Sequence, residues 1–168
     1  MTQRVELATV MDRVAVDALV TEYAVAVDDG AWDAYRQLFA PGGRADYRSA
    51  GGIEGDAEEI TQWLTGAMEL FTMRQHLIVN RQVHFETLDQ DVGDTARVRA
   101  DFINPMRFAR GDTPSATEDT STAPDFVCGG RYAFTLVRTG GGWRFNQVVV
   151  QEKWRRMKGA SAPASGTP

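Results

Sequence analysis

The two side chains best suited to proton chemistry are His76 and Asp28. A histidine can take or give a proton near neutral pH with little tuning. Asp28 falls at the predicted C-terminal end of the first helix, where the macrodipole disfavours a carboxylate and something else must stabilise it. A histidine would serve, and the carboxylate would in turn orient the ring, fix its tautomer and raise its basicity. Spacing alone does not bring positions 28 and 76 together. The plainer alternatives are a solvated helix-end aspartate, like Asp29, and a strand-start histidine bonded to backbone. The other histidine, His84, follows eight positions later on the same predicted strand. That puts it on the same face and about 26 Å away, too far to share a site.

Tyr23, Tyr47 and Tyr132 could each donate a hydrogen bond to an oxygen on which charge develops, or be core rings with one satisfied hydroxyl. Asp101 and Glu86 lie inside predicted strands, as pocket carboxylates or on an exposed sheet face. Cys128, the single cysteine, has no activating neighbour in sequence and reads as a small packing residue. One cysteine forms no internal disulfide, and two histidines cannot build a His- or Cys-rich zinc site, so a reducing compartment and no structural metal are expected.

The elements that must position these groups follow from periodicity. Apolar residues at Val10, Val14, Val16, Leu19, Val20, Tyr23, Ala24 and Val27 form one broad helical stripe. Gly30 suits the left-handed end of that helix. A second short helix is predicted over Ala31 to Phe39, with Pro41 beyond it, followed by an extended stretch from Arg44 to Tyr47. Asp56 and Glu59 have the spacing of a capping box for a third helix that carries Ile60, Trp63, Leu64, Ala67 and Leu70 inward. After His76 the chain turns β-branched and aromatic, and long strands are predicted at His76–Thr87, Thr95–Phe108, Gly129–Thr139 and Trp143–Trp154. Turns at Asp89–Asp94 and Thr139–Gly142 make successive strands antiparallel. The polar stretch Ala109 to Asp125 is either a mobile lid or plain disorder, and the tail from 157 to 168 is expected to be disordered. Helices first and strands afterwards give an α+β domain over residues 1–156, a curved, largely antiparallel sheet closed by three N-terminal helices into a cone.

Composition narrows the partners. The chain has 168 residues, 18 Lys+Arg against 23 Asp+Glu and a net charge of −5, which argues against nucleic acid and anionic membrane as partners. No signal-like stretch opens the sequence and no apolar run could span a bilayer, so a cytoplasmic location is expected.

Several short motifs occur in a familiar order: Asp33 after Trp32, Ala40-Pro41, Asp46-Tyr47-Arg48-Ser49, Gln75-His76, and Gly141-Gly142-Trp143-Arg144-Phe145 leading to Trp154. In order and spacing they resemble the SnoaL-like branch of the nuclear-transport-factor-like superfamily, with its cystatin-like cone, over about Val10 to Trp154. Scytalone dehydratase is the most detailed likeness, with bile-acid dehydratase and hexachlorocyclohexane dehydrochlorinase similar in their aspartate-to-histidine separation. The resemblance implies an acid–base dyad of Asp28 and His76, assisted by Tyr47 or Tyr23, in a cofactor-independent lyase acting on a small apolar molecule. It also implies a homo-oligomer, a trimer by the family pattern. Isomerase, cyclase, epoxide hydrolase, ligand carrier and accessory subunit are the alternatives on the same scaffold.

Two departures bear on the substrate. Val27 stands where scytalone dehydratase has a tyrosine, and its second catalytic histidine and pocket asparagine fall near Met106 and Tyr132, which makes scytalone an unexpected substrate. Trp63, Leu64, Met68, Phe71, Met73 and Phe102 are the expected apolar lining, with Met106 and Tyr132 as substrate-binding positions. Five residues turn about 140° around an ideal helix, so Tyr23 and Asp28 would share a pocket only if the helix end unwinds.

Overall fold

The structure, a computed structural model, describes residues 2–109 and 122–158, with side chains from residue 6 onward. Most of the stretch expected to be a lid or disorder, and nearly all of the expected tail, lie outside the described residues. Helix α1 runs from Thr2 to Asp28, α2 from Trp32 to Gln37 and α3 from Ala57 to Met68. Seven strands follow or intervene: β1 (Phe39–Asp46), β2 (Glu54–Asp56), β3 (Phe71–Arg74), β4 (Leu77–Thr87), β5 (Thr95–Phe108), β6 (Phe126–Thr139) and β7 (Gly142–Met157). They form one mixed, curled sheet in the order β2-β1-β7-β6-β5-β3, with β4 also paired to β5. All pairings are antiparallel except β1 with β7. This is the expected α+β architecture.

Each end of α1 is explained locally. Gly30, at φ 65°, closes a Schellman motif in which Ala31 N–H donates to Ala26 O at 2.8 Å and Gly30 N–H to Val27 O at 3.3 Å. The helix stays regular to Asp28 and does not unwind. Towards its N-terminus the expected stripe divides in two: Val16, Leu19, Val20, Tyr23, Ala24 and Val27 are buried, whereas Val10 and Val14 are exposed together with Leu7 and Met11. Only the last two-thirds of the helix lies on the sheet. The capping box of α3 forms as read, with Asp56 accepting from Glu58 and Glu59 N–H while Glu59 accepts from Asp56 N–H.

Four strand boundaries differ from expectation. The second helix stops at Gln37, and Phe39-Ala40-Pro41 already belongs to β1, whose register shifts between Phe39 and Arg44. Pro41 sits in that irregular part, where a strand tolerates its missing N–H. β6 begins at Phe126 and β7 ends at Met157, so both are longer than read. The predicted strand from His76 is the second half of a broken one. β3 pairs with the C-terminal half of β5 and β4 with the N-terminal half, and Gln75-His76 is the break between them.

A β-bulge also corrects the placement of His84. Between Val79 and Gln82 the register of β4 against β5 shifts by one residue, with Asn80 at φ 52°. One extra residue flips the side-chain parity. Ile78 faces inward before the bulge, Val83 and Phe85 after it, and His84 points to solvent on the opposite face from His76.

Candidate active site

The break between β3 and β4 leaves the His76 backbone N–H outside the ladder, and Asp28 takes it. One carboxylate oxygen accepts from His76 N–H at 2.7 Å, and the other lies 2.6 Å from the same residue's ring Nδ1. Both oxygens are therefore spent on one residue, which fixes the ring in position and orientation. The His76 side chain is 5% exposed and that of Asp28 17%. A carboxylate accepting at Nδ1 makes that nitrogen the proton carrier and leaves Nε2 as the acceptor.

The unfavourable helix end is relieved by a residue the sequence reading passed over. Arg74, at the end of β3, donates to the Asp28 carbonyl from Nε at 3.1 Å and Nη2 at 2.9 Å, and to the Met68 carbonyl from Nη1 at 2.8 Å. One guanidinium thus caps the C-terminal ends of α1 and α3 and neutralises both helix ends beside the His76 pair. Its signal in sequence was a cation two residues before the histidine.

Nε2 faces the amide of Asn104 on β5, whose Nδ2 lies 3.0 Å away. Because Nε2 is the acceptor, Asn104 presents its NH2, and its Oδ1 is left buried without a hydrogen-bond partner. Asn104 was also missed. The buried positions of β5 run Ala96, Val98, Ala100, Phe102, Asn104, Met106, and the one amide breaking that apolar alternation was the legible signal.

The cavity in front of His76 has a volume of about 330 Å³. Its walls are Val27, Tyr47, Trp63, Leu64, Met68, Phe71, Phe102, Met106, Phe126 and Tyr132, with His76, Asn104, Cys128 and Glu152 as the other functional groups. Trp63, Phe102, Met106 and Tyr132 are where the sequence reading put them, whereas Met73 does not line the cavity. Leu70, expected to point inward, stands at the rim and is 60% exposed. The Trp63 ring reaches its place only because residue 52 is glycine: a Cβ there would lie 2.5 Å from the indole. Burial pushes the Cys128 thiol up to about 12, so it stays protonated and is no nucleophile.

Tyr47 is set by its own motif. Asp46 accepts from the Arg48 amide at 3.0 Å and from its guanidinium at 3.0 and 2.7 Å. Ser49 bridges Val150 O and Glu152 N on β7. The resulting tight turn turns the Tyr47 ring into the cavity wall against Trp63, with centroids 5.5 Å apart. Tyr23 is fully buried and does not line the cavity; its hydroxyl reaches the site only through a hydrogen bond to the Tyr47 hydroxyl. The regular helix end explains this, since it holds Tyr23 and Asp28 on different sides of α1.

The two strand carboxylates considered from sequence, Asp101 and Glu86, are elsewhere. Asp101 lies on the outer face of the sheet, where the Arg131 guanidinium, outweighing the opposing effect of desolvation, holds it at about 2; Glu86 pairs with Arg97 at 3.0 Å. Among the described residues no three His, Cys, Asp or Glu side chains gather in a way that could hold a metal ion, and no helix is long and apolar enough to cross a membrane.

Comparison with known proteins identifies the family and the fold. Residues 8–149 match the SnoaL-like domain. An uncharacterized protein, Rv2910c, of Mycobacterium tuberculosis is 32% identical over 151 residues, covering 90% of this chain and 92% of that one. Among solved structures, a putative scytalone dehydratase from Novosphingobium aromaticivorans superposes with a TM-score of 0.68 at 17% identity, covering 97% of this chain and all (100%) of that one. A hexachlorocyclohexane dehydrochlorinase of type 2 gives 0.71 at 13% identity, over 95% and 99%. At these identities the two structures speak for the fold alone. The chain belongs to the SnoaL-like family, and its fold is one curled, mixed sheet packed with helices.

Proposed function

We propose that the protein is a cofactor-independent lyase of the dehydratase type, in which His76, held by Asp28, removes a proton from carbon next to a carbonyl of a small, apolar, cyclic substrate. The observation that carries this reading is the Asp28–His76 pair, 2.6 Å apart, with the far ring nitrogen turned to an apolar cavity. The names of the dehydratase and the dehydrochlorinase of the same fold point the same way.

In the elimination, Nε2 takes the proton from the carbon, and the electron pair moves toward the carbonyl oxygen, where a tyrosine hydroxyl meets the charge. The pair then returns to form the C=C bond as the C–O bond to the leaving hydroxyl breaks. The proton on His76 passes to that hydroxyl, so water leaves and the imidazole is restored. A low-dielectric site strengthens each of these contacts. Exposed Leu77, Val79 and Ile103 on the outer face of the sheet support self-association of the chain.

The test is a screen of β-hydroxylated cyclic ketones for the absorbance of the conjugated product. Turnover that disappears in His76→Ala supports the reading; turnover that survives that substitution removes it.

A further inference from the structure

All four tyrosines of the chain are buried in one cluster, with Tyr47 and Tyr132 in the cavity wall and Tyr23 and Tyr35 behind it. The Tyr47 hydroxyl is bonded to that of Tyr23 and lies 3.3 Å from that of Tyr35. Tyr132 closes the group, its ring 5.4 Å from that of Tyr23 and edge-on to it. Tyr35, on α2, was read from sequence only as an apolar helix position, and it does not line the cavity.

Counting protons constrains what this cluster can do. Three hydroxyls joined in a line by two hydrogen bonds hold three protons and spend two, so one must be donated outside the trio. On Tyr23 or Tyr35 that proton would be locked in the apolar core, fully buried and unpaired, the costly arrangement. On Tyr47, the member that lines the cavity, it has somewhere to go. The assignment with no wasted proton has Tyr23 and Tyr35 donating to Tyr47 and Tyr47 donating to whatever occupies the cavity. Burial raises all four phenols and keeps them protonated, while the Tyr23 and Tyr35 hydroxyls both act in the opposite direction on Tyr47, and that of Tyr23 also does so on Tyr132. Two donors aimed at one oxygen disperse negative charge on it, so Tyr47 is the phenol best able to share its proton with an anion.

We propose that Tyr35, with Tyr23, is a positioning residue that makes Tyr47 an oxyanion-directed donor, and that the cavity takes flat ring ligands bearing an enolate- or phenolate-like oxygen. The proposal deepens the lyase reading, on which it rests for the nature of the charge, but its test is independent of turnover. Neither Tyr23 nor Tyr35 touches the ligand.

The experiment compares dissociation constants of 2-naphthol and naphthalene for the wild type, Tyr47→Phe and Tyr35→Phe, with thermal melts of all three. A further series of ring-substituted 2-naphthols of increasing acidity reads how affinity grows as charge accumulates on the oxygen. The wild type should prefer 2-naphthol by roughly tenfold. Tyr47→Phe should erase the preference, and Tyr35→Phe should cut it roughly threefold and flatten the acidity series, with naphthalene bound equally by all three. A core tyrosine with a merely structural role would weaken both ligands alike and leave the slope of the series unchanged. That result, an unaltered naphthol preference in Tyr35→Phe, no preference in the wild type, or no binding of either ring overturns the proposal. Naphthol selectivity without any elimination activity keeps this proposal and removes the lyase reading; elimination activity with a Tyr35→Phe variant of wild-type selectivity does the reverse.

Discussion

The two ends of the packed part of α1, at Asp12 and at Asp28, each hold a polar network, and they differ in what those networks face. At the N-terminal end Asp12 accepts from Trp143 Nε1 at 3.1 Å and Gln90 Nε2 at 2.9 Å, and pairs with Arg138 at 2.7 Å. Arg138 Nε reaches Asp94 Oδ2 at 3.0 Å, and Asp94 also accepts from the backbone N–H groups of Asp89, Gln90 and Asp91. The carboxylates there are consumed by the chain itself, which ties α1, the β4–β5 hairpin and β6 together. About 24 Å along the helix axis, the network around His76 is open. Nε2 holds one exchangeable amide bond, Asn104 Oδ1 has no partner, and the tyrosine trio has a proton to give. The clasp also keeps one buried group without a hydrogen bond, Arg138 Nη2, but that group is held in an ion pair with Asp12 and does not line the cavity of His76. A network closed on itself by charge is read as a clasp, and one whose unsatisfied group faces a cavity as a place for a ligand.

Substitutions at each end should therefore have opposite signatures. The largest effect is expected for His76→Ala and Asp28→Ala, which should each lower turnover by about 10² to 10⁴; the melting temperature should stay near that of the wild type in His76→Ala and fall in Asp28→Ala, which leaves the His76 backbone N–H without its acceptor. Parallel kinetics and thermal melts check this. At the clasp, Asp94→Asn should cost about 3 kcal/mol of stability, because it leaves the Arg138 charge buried with a poorer partner. Denaturant titration reads this loss, and ring binding in the cavity should survive it. Gly52→Ala lies between the two regions. The added methyl must displace the Trp63 ring, for which about 1–3 kcal/mol of overpacking is expected together with a smaller cavity and weaker binding of bicyclic rings.

The clasp should also set the acid limit. Burial pushes Asp94 up, but the N–H groups of Asp89 and Asp91 and the Arg138 guanidinium outweigh it and hold the carboxyl below its ordinary value. A carboxyl depressed in the folded state contributes stability that is present above its unfolded value, about 3.9, and is lost as pH falls through the lower folded value. Melting temperature should drop below about pH 4, and the drop should be shallower in Asp94→Asn. The smallest effect is expected for His84→Ala, which sits on the outer face and should change neither turnover nor stability by more than about 0.5 kcal/mol.

Much of this contrast was legible before any coordinates. The capping box at Asp56 and Glu59, the helix stop at Gly30 and the antiparallel order of the long strands are local signals, and local signals survive folding. His76 and Asp28 were legible as types, but their meeting depends on a strand break that periodicity does not announce. The bulge at Asn80 escaped for the same reason, since one inserted residue leaves the β-branched texture intact while turning His84 outward. Helix geometry left Tyr23 in the pocket only if α1 unwound at its end, and the end stays regular; that Tyr47 stands between Tyr23 and the cavity was not legible, because it depends on the fold. Arg74 and Asn104 act through partners distant in sequence, one through the Asp28 carbonyl and the other through Nε2, and only the fold supplies those partners.

The lyase reading stands on Nε2 of His76 acting as a base toward carbon. The most direct measurement is deuterium incorporation next to the carbonyl of a cyclic ketone, 1-indanone, incubated with the protein in D₂O and followed by proton NMR, because it isolates proton removal from loss of any leaving group. Exchange should run well above the buffer rate in the wild type and collapse to that rate in His76→Ala, with an unchanged melting temperature. Exchange of equal rate in both proteins, or none above buffer in the wild type with the ketone bound, would contradict that reading.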